Sequence, residues 1–548
     1  MPATMPLFCV MAFLRVDRKS SGNYLYIAES YRDSTGMPCT RILYHLGKLE
    51  SYNPEELKKI AERLYSLAGG DVKSLLGEDV RELHRYNYGF IQAVKKLLGY
   101  YGLDQLLGRI TEKHKMKTDV FNNVLLMLAE RLYEPESKRY SYIHQQEYIG
   151  LSPIKLHELY RVLDKLADYS GKIQQCIYQS GRDLFNAQLD VVFYDVTTFY
   201  FESDKEYEGT LRQKGFSKDG KIGSTQILFG LLIDKNKQPI GYRIYKGDSF
   251  EGHTFESALK QLKEQYQIQN IVVVADRGML SRNNIKITTD TNQYEFILGE
   301  RLKVLPEPIK QYLLNINNYT RTWVYNHQGE QICIRYCTIE YENRTIICTY
   351  SQKRAEKDRT DRNEKIEKAR TLIKYPGLLN KKAQHYFLQS DDKTTYYLNE
   401  EKIKQNEKYD GFLAISTNAK QLAVEEVLDN YRHLYQIEHS FRTFKSYLET
   451  RPMFHWKDKR IEGHLCLCYM AYALLNRTQL LLAKNKTPLS EKQIREALAK
   501  MQLSQIEQGP HQYYIRSNNS ENTTAIIKAL QIPQLPNIFP VQQINQIL

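Results

Sequence analysis

The chain lacks the marks of several large protein classes. Among its eight cysteines, scattered from Cys9 to Cys468, there is no C-x-x-C pair, which removes a zinc ribbon and a thioredoxin-like redox site. Cys333, Cys337 and Cys348 fall in strand-like text and read as thiols of a reduced, cytosolic protein rather than as a metal cluster. Walker loop, H-E-x-x-H, G-x-S-x-G and internal repeats are all missing, and with them the reactions those motifs carry. The opening MPATMPLFCVMAFLRVDR has no basic region before its apolar run and no small-residue cleavage site, so no signal peptide is expected. The most apolar long stretch, 465–475, is too short to span a bilayer and reads as a core helix. Tryptophan is scarce too, with only Trp323 and Trp456 against 42 tyrosines.

What is present describes a folded protein with an anionic partner. Hydrophobic content of 42% and charged content of 26% are ordinary for a globular chain. At 548 residues the sequence is too long for one core, and about three or four domains are expected. Lys plus Arg outnumber Asp plus Glu by 77 to 64, a formal charge of +13, which puts nucleic acid first among partners.

Three acids stand out by their setting. LDVVFYDVTTFYF runs from a β-prone apolar segment straight into Asp195, and NIVVVADRGML does the same at Asp276. Ile271 to Val274 is the short apolar run of a buried strand, ended where Gly278 lets the chain turn. An acid in that position is either a turn former or a ligand, since ligands gather at strand ends in open α/β sheets. The third acid is Glu438, in the stretch 431–452, which reads as one helix with Leu434, Ile437, Phe441, Phe444 and Leu448 on its buried stripe. Tyr431, Glu438 and Lys445, seven residues apart, form a second line along it. Three carboxylates brought to one point repel each other unless a cation sits between them. A hard divalent ion, Mg²⁺ above all, suits such oxygen ligands.

These residues carry a resemblance. Asp195 in YDVTTFYFES, Asp276 in VVADRG and the Y-x6-E-x6-K set Tyr431, Glu438 and Lys445 resemble the DDE transposases of bacterial insertion sequences. DGFLAISTN, RTFKSYLETRPMFHW, RIEGHLCLCYMAYALL and the opening NYLYIAESYRD are similar to that family as well, so the likeness covers most of the chain. One departure is that the family has an arginine three residues after the tyrosine, where this chain has Leu434; Arg432 and Arg442 are the nearest substitutes. The resemblance implies an α/β fold: a ribonuclease H-like core interrupted by a β-rich insertion domain, behind a β-hairpin and a helical region.

In chain order, the expected divisions are 1–88 (β-hairpin and helix), 89–187 (helical, DNA-binding or scaffold), 188–304 (first part of the core), 305–405 (insertion), 406–487 (second part of the core with the catalytic helix) and 488–548 (C-terminal region). Within the insertion, TRTWVYNH, QICIRYCTIEY, RTIICTYS and HYFLQS read as strands. KRAEKDRTDRNEKIEKAR reads as a solvated helix with a basic excess.

The resemblance further implies cleavage of element ends and joining of the 3′-hydroxyls to target DNA. Asp195, Asp276 and Glu438 would hold two Mg²⁺ ions, with Mn²⁺ as a substitute. Tyr431, Arg432, Arg442 and Lys445 would contact phosphates, and Trp323 is either a base-stacking residue or a core residue of the insertion. The implied partners are double-stranded DNA, as terminal inverted repeats and target, and a second copy of the chain assembled on DNA; no membrane is involved. A stand-alone nuclease with the same core, or a DNA-binding protein derived from a transposase, are the alternatives. A bacterial cytoplasmic, nucleoid-associated location goes with this reading.

Overall fold

The computed structural model describes residues 12–33, 35–70, 80–114, 117–181, 190–206, 210–215, 223–250, 253–266, 271–279, 294–327, 329–375, 386–390 and 396–544. Cys9 and part of the polar, Gly- and Lys-containing segment 212–221 lie outside them. The chain divides into two compact units, one of residues 1–85, 504–515 and 538–544, the other of 86–503, 516–537 and 545–548.

The first unit opens with an antiparallel meander of β1 (Ala12–Lys19), β2 (Gly22–Arg32) and β3 (Pro38–Lys48). The sequence suggested two strands here; β1 is the third, paired along its whole length with β2. Helix α1 (Pro54–Leu67) follows, with a complete capping box at its start. The Asn53 side chain accepts from the Glu56 amide at 2.9 Å, the Glu56 carboxylate accepts from the Asn53 amide at 3.0 Å, and proline takes the first turn. β4 (Val80–Asn87) then leads out.

The second unit begins with helices α2 (Gly89–Tyr100), α3 (Leu103–Lys113), α4 (Val120–Tyr133), α5 (Lys138–His144), α6 (Leu156–Asp168) and α7 (Ser170–Gly181). Next come β5 (Asp190–Tyr200), β6 (Gln213–Lys214) and the hairpin of β7 (Thr225–Ile233) and β8 (Pro239–Lys246). Helix α8 (Thr254–Tyr266), β9 (Ile271–Ala275) and β10 (Glu295–Glu300) complete the core's first part. In space the order is β8-β7-β5-β9-β10, with β5, β9 and β10 parallel and β7 antiparallel to β5. That is the ribonuclease H-like order. β7 and β9 are buried at every residue, as strands covered on both faces must be.

The insertion supplies α9 (Glu307–Leu314), β11 (Arg321–His327), β12 (Glu330–Tyr341), β13 (Arg344–Tyr350), α10 (Gln352–Lys374), the short strands β14 (Leu388–Gln389) and β15 (Tyr397–Leu398), and α11 (Glu400–Glu407). The three longer strands match the expected segments. They do not make a sheet of their own: β13 pairs with β16 (Phe412–Thr417), and β16 pairs with β10. The insertion therefore extends the central sheet, which reads β11-β12-β13-β16-β10-β9-β5-β7.

The stretch 431–452 is not one helix. It is the end of α12 (Val424–Arg432), then α13 (Tyr435–Arg442), then a π-helical turn, Thr443–Tyr447, closed by the Leu448 amide on the Thr443 carbonyl at 2.9 Å. His433 stands at the break, with both its Nδ1, at 2.7 Å, and its amide, at 3.2 Å, on the Asp429 carbonyl. The amides of Leu434, Gln436 and Ile437 settle for carbonyls three residues back. Of the expected stripe, Ile437, Phe441, Phe444 and Leu448 are buried and Leu434 is half-buried.

The long helix α14 (Asp458–Lys484) is long and apolar enough to cross a membrane, but 78% of its most apolar window is buried inside the fold. It packs on α4 and α6. A side chain at Gly463 would run into the Leu163 carbonyl, so glycine is what lets α14 and α6 cross so closely. Next comes α15 (Glu491–Ala499), followed by β17 (Gln502–Gln508), β18 (His511–Arg516), α16 (Glu521–Leu530) and β19 (Ile538–Pro540). In the first unit, β4, β17, β18 and β19 form a second sheet in the order β19-β18-β17-β4.

Candidate active site

β5 and β9 run parallel with Tyr194 opposite Ala275. Asp195 and Asp276 each follow by one residue, so the two acids occupy equivalent places on neighbouring strands, whose axes lie about 4.8 Å apart. Asp195 is half-buried, and its Oδ1 accepts from the Val196 amide at 2.7 Å. Asp276 is exposed just past the end of β9, where its carbonyl accepts from the Met279 amide at 2.9 Å and closes a short turn.

Glu438 projects from α13, which packs on β5 through a face containing Ile437 and Phe441, while α12 covers β9, β10 and β16. Glu438 itself is exposed. Tyr431, on α12, links the acids. Its phenol pKa is pushed up to about 12, first by burial and then by the Asp276 carboxylate; Glu438 adds to the rise, while Arg277 and Arg354 oppose it. Both carboxylates thus act on one hydroxyl, and Tyr431 stays a neutral hydrogen-bond donor at any working pH. Its ring reaches across β10: a Cβ on Gly299 would stand 2.5 Å from the hydroxyl and 3.0 Å from the Arg277 amide.

The donor set is all carboxylate oxygen, which fits a hard divalent cation chemically. It is not a closed cage. Among the described residues no three His, Cys, Asp or Glu side chains stand close enough to hold one ion.

The other expected contacts fall in different surroundings. Arg442 is exposed on α13, and Lys445 is half-buried in the π-helical turn. Arg432 lies 4.3 Å over the ring of Tyr325, which is packed against Trp323 with centroids 4.4 Å apart. Trp323 is 5% exposed; an indole covered to that degree offers no open face to a base. Arg432 and Trp323 thus belong to one stack joining α12 to β11.

Sequence reasoning missed Arg277, Arg354 and Gly299. Arg277 directly follows Asp276 and could have been noticed. Arg354 lies in the charged helix α10, where only the basic excess hinted at it.

Residues 186–474, more than half of the chain, match the family model described as Transposase DDE domain. Residues 14–71 match the model of the IS1634 family transposase N-terminal domain. No curated protein matches the chain. Among solved structures, a Mos1 transposase paired-end complex with the left transposon end is similar at 15% identity. That likeness covers 35% of this chain and 57% of the other, with a TM-score of 0.14, too slight to carry an argument.

Proposed function

The chain belongs to the DDE transposase family, and we propose that it cuts the ends of an insertion sequence and joins the freed 3′-hydroxyls to target DNA. The observation that supports this best is the placement of Asp195 and Asp276 on neighbouring parallel strands in one register, with the Glu438 helix packed across β5. We assign these three carboxylates to the divalent ions, Mg²⁺ or Mn²⁺. When bound, such ions activate an attacking oxygen and stabilise a leaving one.

The chain's own residues do the rest. Tyr431, held protonated, donates to a phosphate oxygen beside Asp276, and Arg277 places a positive charge at the same spot. Arg442 and Lys445 extend the phosphate track along the helix and the π-helical turn, and Arg432 reaches it only by leaving Tyr325. The meander β1–β3 and the helices α2–α7 are proposed to grip the element ends, with two copies assembling on DNA in a reduced cytoplasm. Strand transfer distinguishes this reading from a stand-alone nuclease.

The DNA flanking the gene supplies the test. Its terminal inverted repeats, end-labelled and incubated with the protein and Mg²⁺ or Mn²⁺, should be cut and joined to a target plasmid. Asp195→Ala, Asp276→Ala and Glu438→Ala should each abolish cutting while leaving DNA binding and folding largely intact, because phosphate contacts remain. A Glu438→Ala protein that still cuts would sink the site assignment.

A further inference from the structure

The π-helical turn Thr443–Tyr447 continues the helix that carries Glu438, and Lys445 lies within it. Such a wide turn is unfavourable by itself and persists where its surroundings hold it. The chain just beyond is strained too, because Glu449 takes a left-handed backbone at φ 41°. Two neighbouring helices grip this stretch. On α15, Glu491 and Arg495 stand four residues apart, one above the other on one face. They meet two residues of the turn that are also four apart. The Thr443 hydroxyl donates to Glu491 Oε1, and Arg495 Nη2 donates to the Tyr447 carbonyl at 2.8 Å. The Arg495 guanidinium lies 4.0 Å from the centre of the Tyr447 ring, and its Nε donates to the Leu132 carbonyl on α4 at 3.3 Å. The Tyr447 hydroxyl donates to that same carbonyl at 3.2 Å. From α4, Arg131, only 5% exposed, takes the next two carbonyls: its Nη1 donates to Leu448 at 3.1 Å and to Glu449 at 3.5 Å. The last carbonyls of a helix have no partner within it, and positive charge is favourable there. Here two guanidiniums cover three successive carbonyls.

We propose that Glu491, Arg495 and Arg131 are positioning residues that keep the turn wide and thereby set Glu438 and Lys445 against the two strand acids. This rests on the transposase reading above. Their part is to orient, not to touch the reacting atoms. Relaxation to a regular α-turn, which bonds each amide four rather than five residues back, would rotate Lys445 relative to Glu438. Helix α13 is only eight residues long, so a shift at its C-terminal end is carried to Glu438. A misplacement of about 1 Å costs up to about 10²-fold in rate.

Full-length Arg495→Gln and Arg495→Lys test this beside wild type, at a temperature where thermal melts show all three folded. Gln loses the charge and the planar fork, whereas Lys keeps the charge. Amide hydrogen exchange, without DNA or metal, reads the turn itself. The Leu448 and Thr450 amides, bonded to the Thr443 and Phe444 carbonyls at 2.9 and 3.0 Å, should exchange about tenfold faster or more in Arg495→Gln, and less so in Arg495→Lys. Single-turnover cleavage of the end-labelled repeat at saturating DNA should slow in the same order, by about 10- to 100-fold for Gln, with DNA affinity little changed. Thr443→Val releases only the other grip and should give the same pairing of faster exchange and slower cutting in milder form, which keeps the test open if Arg495→Gln does not fold. Faster exchange with a wild-type cutting rate would overturn the positioning role. Slow cutting with unchanged exchange in the turn would overturn it as well and assign Arg495 to some other step. A wild-type protein that binds the repeat but never cuts it would overturn the transposase reading, and the positioning role with it.

Discussion

Gly299→Ala adds a single methyl group between Tyr431 and the Asp276 turn. In an extended strand such a change normally stabilises by about 0.4–1 kcal/mol, because it restricts the unfolded chain. Here the new Cβ would stand 2.5 Å from the Tyr431 hydroxyl, 3.0 Å from the Arg277 amide nitrogen and 3.1 Å from the Arg277 Cβ. Carbon contacts relax at about 3.5–4.0 Å, so the hydroxyl has to retreat by about 1 Å. It is the far end of a side chain and can do so. The Arg277 backbone has to give by a few tenths of an ångström, and it carries Asp276 with it. Overpacking of this kind costs about 1–3 kcal/mol, and a misplacement of about 1 Å near the chemistry costs up to about 10²-fold in rate. The expected outcome is a net loss of about 1 kcal/mol in urea unfolding, with single-turnover cleavage of an end-labelled repeat slowed about 10- to 100-fold and DNA affinity little changed. Adding Tyr431→Phe removes the colliding oxygen and should restore part of the lost stability. Wild-type rate and stability in Gly299→Ala would mean that Tyr431 does not lie over β10, and the role given to it would fall.

Chelation by EDTA should stop cleavage, Mn²⁺ should restore it, and Ca²⁺ should permit binding with little cutting because it takes looser coordination; full activity in EDTA would refute a metal-bearing triad. Trp323→Ala should lower stability by about 3–5 kcal/mol, the cost of a large core cavity, and slow nicking and second-strand cleavage alike. Selective loss of the second step at unchanged melting temperature would return Trp323 to a base-stacking role. Lys138, 4% exposed, has its pKa pushed down to about 7 by burial, with Arg131 adding to the effect. Unfolded, it titrates near about 10.4, so between about pH 7 and 10.4 the unfolded chain holds a proton that the fold releases, and stability rises with pH through that window. Lys138→Met should therefore be more stable than wild type at pH 7, with the gap closing by pH 9.5 in urea midpoints; a gap that does not change with pH would refute the buried-charge account.

The parts of the site that could be read in the sequence are those fixed by short-range pattern. The runs before Asp195 and Asp276 are apolar because β5 and β9 are covered on both faces; β9 stops at Asp276 as the sequence suggested, whereas β5 runs on past Asp195 to Tyr200, so that acid lies within its strand rather than at the end. The single-helix reading of 431–452 failed for a local reason, the turn of the Leu434, Gln436 and Ile437 amides to carbonyls three residues back. The π-helical turn after it leaves no signature in apolar spacing, so Tyr431, Glu438 and Lys445 fall on three helical pieces rather than on one line. Gly299 and Arg354 were out of reach because what makes them matter is a phenol far away in the chain. The two tryptophans show the limit most plainly. Both sit in mixed polar text, and only packing decides that Tyr325 and Arg432 help to close over one while Arg212 holds the other at the surface.

The way the insertion joins the core bears on how the site works. β16 pairs with β10 on one edge and β13 on the other: Ile415 faces Gly299 on one side and Ile347 on the other, and Ala414 faces Glu300 and Cys348. Across this strand the buried Glu300 and Arg344 meet at 3.5 Å. A buried pair with one partner removed leaves an uncompensated charge, so the register of β13 against β10 is held by more than backbone hydrogen bonds. The strand bearing Gly299, over which Tyr431 lies, is therefore two hydrogen-bonded steps from β13 and four from β11. Arg432 closes the loop from the other side by stacking on Tyr325 of β11. DNA that drew Arg432 onto a phosphate would release that stack and loosen the outer edge of the sheet, while the centre stayed pinned by Glu300 and Arg344. A ligand shifts such an arrangement only by its differential affinity for the two states. If Arg432 takes the phosphate contact proposed for it, that difference would come from exchanging an aromatic face for a phosphate, at a residue immediately following Tyr431.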